Sequence, residues 1–117
     1  MHARPDARRL HAGLLKLDSH LDAPIHFTRR GWSFADRHVH ETEIAQLDLP
    51  RMEGNLDGGF FVVYTPQGPL TADGYAIALS TARQRSNEID DAVARLPALG
   101  FARTAADAER LRDGGRT

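Results

Sequence analysis

The segment Asp18-Ser19-His20-Leu21-Asp22 places metal-binding residue types at alternate positions. It follows the apolar Leu14, Leu15 and Leu17 and runs into Ala23-Pro24, so it reads as the end of a β-strand. Side chains of a strand alternate faces, which puts Asp18, His20 and Asp22 on one side and Ser19 and Leu21 on the other. His20 and Asp22 then offer an imidazole nitrogen and a carboxylate oxygen to one divalent ion, donors suited to zinc. The plain alternative is a hydrogen-bonded strand end, because a His-x-Asp pattern is short and the chain has six histidines.

Other side chains compete for chemical roles. His38-Val39-His40 has metal-ligand spacing but lies in a segment without strand periodicity, so it is read as a pair of solvated loop histidines. His26 stands near the same strand end and is given a surface role. Tyr64 closes an apolar strand; it is read either as a substrate-binding residue lining a pocket or as a packing tyrosine with a satisfied hydroxyl. Phe27, Trp32 and Phe34 are expected to pack their loop down, with substrate contact the alternative. Arg29-Arg30 reads as a solvated turn.

The composition narrows the classes. There is no cysteine, which excludes disulfides, thiolate zinc sites and thiol nucleophiles. Metal chemistry must then use His, Asp and Glu. Fifteen basic residues face sixteen acidic ones, leaving a formal net charge of -1. Such a balance points to neither a nucleic-acid nor an anionic-membrane surface, and gives little protection against self-association. The apolar share of 41% is enough for a core. No apolar run is long enough to span a membrane, and Leu14 to Leu17 is too short and too soon charged for a signal-peptide core. The expected location is the cytoplasm.

The elements that must position these residues follow from periodicity. Residues 1–13 read as a loose arm or short surface helix, and Leu14 to Asp22 as a strand. Residues 23–43 fit no period and read as a long loop, uncommon unless it has a job. Ile44 to Asn55 reads as helical, with Asp48 as cap and Pro50 in the first turn. Gly59 to Tyr64 is the clearest strand, and its unbroken apolar run suits burial on both faces of a parallel sheet. Over residues 74–96, Tyr75, Leu79, Ala82, Ile89, Val93 and Leu96 form one helical stripe, with Ser86 its only polar member. A shorter helix starts at Thr104, with Asp107 as the acidic partner of a capping box and Gly114-Gly115 at its end. Strands alternating with helices predict an α/β fold with parallel strands.

Three segments together resemble the membrane (renal) dipeptidase family. They are Leu17 to Pro24, with its Asp-x-His-x-Asp core; Leu47-Asp48-Leu49-Pro50-Arg51-Met52; and Gly58 to Gln67, through Gly58-Gly59-Phe60-Phe61. They stand in the family's order and at fitting separations, and the resemblance covers about residues 14–117. It implies a (β/α)₈ TIM barrel holding two zinc ions and hydrolysing dipeptides, with His20 and Asp22 as metal ligands. On that reading the chain is the first two βα units of a truncated barrel, all 117 residues belong to one domain, and the piece is inactive alone. The family's remaining ligands, a bridging Glu and two later His, have no counterpart here. Glu41, Glu43, Glu53, Glu88 and Glu109 all fall in loops or helices. Ile25 stands where many members carry a bulkier aromatic residue.

Two alternatives remain. One is another metal-dependent amidohydrolase-type barrel, although those present H-x-H on the first strand, where this chain has Asp22 in the second ligand place. The other is a non-catalytic small α/β protein that self-associates, as a homo-oligomer, through open strand edges.

Overall fold

A computed structural model describes residues 5–117. Helix α1 spans Pro5–Gly13 and its residues 6–13 are exposed, so of the two readings of this segment, arm or short surface helix, the helix holds from Pro5 onward. Residues 1–4 lie outside the described residues. Strand β1 (Leu17–Leu21) and strand β2 (Gly58–Phe61) form a parallel two-stranded sheet, as the alternation of elements predicts.

The register is set where the strands begin. The Lys16 N–H donates to Asp57 Oδ2 at 2.8 Å, the Asp57 N–H donates to the Lys16 carbonyl at 2.8 Å, and Lys16 Nζ lies 2.7 Å from the same carboxylate. Burial alone would raise the Asp57 carboxyl, but the ammonium and N–H of Lys16 outweigh it and hold it below the usual range. Pairing then runs Leu17 to Gly58 and Asp18 to Gly59. A side chain at Gly59 would meet Leu21 and stand 2.9 Å from the Asp18 carbonyl, so only glycine admits this approach.

Both strands are shorter than the sequence predicts. The ladder closes with Leu21 opposite Phe61 and the Val62 N–H on the Leu21 carbonyl at 3.0 Å. Val63 and Tyr64 continue the apolar run without a partner strand and are exposed. Burial on both faces, inferred from that run, is not met among the described residues: Phe60 is 66% exposed.

The long loop is more structured than expected. A 3₁₀ turn (Ala23–His26) follows β1 and a one-turn helix α2 (His40–Glu43) ends at Ile44, whose φ of 53° is left-handed. That stop breaks the helical stretch expected over Ile44 to Asn55. Only α3 (Leu49–Met52) remains of it, capped by Asp48 and with Pro50 in its first turn, as predicted. The core joins this loop to the sheet. Ala23, Phe34, Met52 and Leu99 are buried, with Phe27, Trp32, Leu47 and Phe61 packed around them. Phe61 meets Phe27 and Phe34 edge-on, at 5.4 and 5.6 Å between ring centres. The aromatic residues of the loop are therefore packing residues.

Helix α4 (Ala72–Arg95) opens on Thr71, whose hydroxyl accepts from the Gly74 N–H at 3.1 Å. Only its C-terminal half packs as the stripe predicts, through Ile89, Val93 and, just beyond, Leu96, with Ala92 buried beside them. Tyr75 and Leu79 are exposed because no described element faces them. Ser86 is exposed too; Arg85 occupies the inward position. Helix α5 (Ala105–Asp113) carries the predicted capping box, Thr104 and Asp107 each accepting from the other's backbone N–H. Among the described residues, no helix is long and apolar enough to cross a membrane.

Candidate functional site

The two donors of the Asp-x-His-x-Asp segment converge at the C-terminal end of β1. His20 Nε2 lies 3.2 Å from Asp22 Oδ2, and both side chains are more than half exposed. The local backbone explains the meeting. Pairings at Asp18–Gly59 and Leu21–Phe61 leave Ser19 and His20 opposite Phe60 alone, a β-bulge. A bulge frees an N–H from the ladder and re-aims side chains. Here the His20 N–H donates to Asp18 Oδ1 at 2.8 Å. Asp18 therefore secures the bulge.

Asp22 leaves the strand at φ -84° and ψ 1° and opens the 3₁₀ turn, yet its carboxylate makes no capping bond there. It remains available to a ligand. The Asp22 carbonyl accepts from Ile25 at 3.1 Å, and Pro24 is fully buried beneath the turn. Because β1 and β2 are parallel and end together, Tyr64 leaves the same end of the sheet as Asp22, exposed.

His20 and Asp22 fit one edge of a zinc site: an exposed nitrogen and an exposed oxygen, close enough to share an ion. No group of three or more metal-binding side chains occurs among the described residues. Two donors do not enforce the geometry that structural or catalytic zinc sites need.

Of the His38–His40 pair, His38 departs from its sequence reading and His40 does not. His38 is 4% exposed, not solvated. Its ring stacks on Trp32 at 4.4 Å and 6°. Nε2 faces the Ser33 carbonyl at 2.7 Å and Nδ1 the Glu43 carboxylate at 3.0 Å. Both nitrogens are thus engaged inside the loop, and His38 serves as its internal brace. His40 begins α2 and is exposed. His26 is half-buried against Trp32 at 5.3 Å. Burial, then the nearby Arg29 guanidinium, lower its pKa. Arg29 and Arg30 are exposed, and Arg29 donates to the Glu43 carbonyl at 3.2 Å.

Asp48 is the residue the functional reading passed over. Its side chain is wholly buried and accepts from the N–H groups of His38 at 2.9 Å and Arg51 at 2.8 Å, and from the Arg51 guanidinium. Burial by itself would raise this carboxyl; those donors outweigh it and keep it below the usual range. Arg51 also donates to the His38 carbonyl. The Leu47 to Met52 segment thus ties the loop after β1 to the approach to β2. The Asp48 cap was legible from sequence; the reach to His38 was not.

The sequence profile described as Membrane dipeptidase (Peptidase family M19) matches residues 4–117. No curated protein sequence matches the chain significantly.

Proposed function

From membership of the membrane dipeptidase family, to which this chain belongs, we propose that His20 and Asp22 are ligands of a binuclear zinc centre that hydrolyses dipeptides. The family is one of peptide hydrolases, and the parallel βα order suits the opening two units of a (β/α)₈ barrel. The observation that carries the reading is the 3.2 Å approach of His20 Nε2 to Asp22 Oδ2 at the C-terminal end of a parallel strand.

The chain's own residues have limited tasks. His20 and Asp22 hold the ion, Asp18 fixes the bulge that aims the imidazole, and Tyr64 lines the substrate side of the strand ends. When bound, zinc supplies polarisation of the peptide carbonyl and activation of a water. No third metal-binding side chain joins this pair among the described residues. The 117 residues alone are therefore proposed to be inactive.

The test is zinc titration of the chain beside His20→Ala and Asp22→Ala, with hydrolysis of Ala-Ala-type dipeptides measured in parallel. The expected result is weak binding by the chain, its loss in both variants, and no turnover. Equal zinc binding by all three proteins would overturn the ligand assignment. Turnover by the chain with added zinc would overturn its proposed inactivity.

A further inference from the structure

We propose that Arg85, oriented by Glu88, is a positioning residue for the His20–Asp22 pair, acting through the turn that follows Asp22. This rests on the metal-site reading above. Arg85 lies on α4, 61 residues from the carbonyl it reaches. Its Nη1 donates to the Pro24 carbonyl at 2.6 Å and to Glu88 Oε2 at 2.6 Å. Both side chains are largely buried. Glu88 is itself held on its other oxygen, where Gln84 Nε2 donates at 2.9 Å.

The target of this clamp gives it meaning. Asp22 has no side-chain bond to its own turn, so the direction of its carboxylate depends on the backbone from Asp22 to Pro24. That backbone is gripped from two sides. The Pro24 ring is fully buried, and the Pro24 carbonyl is drawn against α4. The 3₁₀ turn and α4 pack on each other. A largely buried guanidinium is costly unless its donors are matched; Nη1 meets Glu88 and the Pro24 carbonyl, and Arg85 Nε has no partner among the described residues. A helix position facing this turn needs only an apolar residue for packing; the guanidinium adds directional control. Without it the turn can rotate, and the two donors lose their set separation.

The experiment titrates the ¹⁵N-labelled chain with Mn²⁺ alone and follows paramagnetic broadening of the His20 to Asp22 amides. Arg85→Met removes the donors and keeps much of the aliphatic length; Arg85→Lys keeps a charge and donors on a single nitrogen but loses the planar fork. Amide shifts of α5 report that each variant is folded. Arg85→Met is expected to weaken Mn²⁺ binding roughly tenfold, the low end for residues that orient metal ligands, with partial recovery in Arg85→Lys. A purely structural residue would lower stability without this ordered change in affinity. If folded Arg85→Met binds Mn²⁺ as the unaltered chain does, while His20→Ala does not bind, the clamp is refuted and the site stands. If His20→Ala binds like the unaltered chain, the site reading and the clamp fall together. Should Arg85→Met not fold, Arg85→Lys decides: affinity equal to that of the unaltered chain refutes directional control by the fork.

Discussion

Replacing Asp48 with alanine removes the acceptor on which the loop after β1 and the approach to β2 are tied together. Its carboxylate takes the backbone N–H groups of His38 and Arg51 and a guanidinium N–H of Arg51, all at a position with no solvent exposure. Loss of an N-cap costs about 0.5–2 kcal/mol. A buried backbone N–H left without an acceptor costs about 1–3 kcal/mol. Arg51 is partly exposed and can be rehydrated, so its share is small. The expected cost of Asp48→Ala is about 3–4 kcal/mol, a large fraction of the roughly 5–15 kcal/mol that holds a domain. Asp48→Asn keeps one acceptor but turns an amide toward other donors, and should cost about half as much. Urea unfolding followed by the emission of Trp32, the chain's only tryptophan, reads the effect directly. With a slope of about 1–3 kcal/mol/M, the midpoint should fall by roughly 1–4 M in Asp48→Ala, and less in Asp48→Asn, with the slope unchanged. A fall under about 0.3 M would refute the tie.

Three further outcomes are expected. Asp107 is held at about 2, from an ordinary 3.8, first by the Arg110 guanidinium and then by the Arg103 N–H. Its stabilisation of α5 is therefore full above 3.8 and lost as pH falls through about 2; helical circular dichroism should decline over that window, and Asp107→Asn should abolish that part of the decline. His38→Ala leaves the Ser33 carbonyl and the Glu43 carboxylate without their shared partner, and should cost about 2–4 kcal/mol with a changed Trp32 emission; unchanged emission and stability would remove His38 as a brace. Finally, the chain exposes 8669 Å², where a compact chain of 12.9 kDa exposes about 6,300 Å², and concentration-dependent self-association should appear in sedimentation, reduced by Phe60→Lys. A strictly monomeric species that binds no hydrophobic dye would refute that expectation.

Much of the local structure was legible in the sequence because it depends on neighbours three or four residues apart. Asp48 before Pro50, and Thr104 with Asp107, each satisfy backbone N–H groups within a turn, while Pro97, which has no N–H to continue the ladder, stands just past the end of α4. The parallel order of β1 and β2 followed from a helical segment between two apolar runs, and family membership from three ordered segments. The apolar pattern misled where burial depends on a partner. The run from Phe60 to Tyr64, and Tyr75 and Leu79 on α4, have the composition of buried surfaces but stand exposed, since hydrophobicity states a preference and only a facing element satisfies it.

The tertiary structure decided what distant residues do. His38 changed from a solvated loop residue to a buried brace because Trp32, Ser33, Glu43 and Asp48 meet around it. The bulge at Ser19 and His20 appeared only once β2 supplied a register to be broken. Arg85, and not Ser86, holds the inward place on α4, where it reaches the Pro24 carbonyl. Lys16 with Asp57 and Arg85 with Pro24 are separated by 41 and 61 residues. No periodicity encodes such pairs, because closing so long a loop is compensated by the packing of the whole fold and not by the two residues that meet.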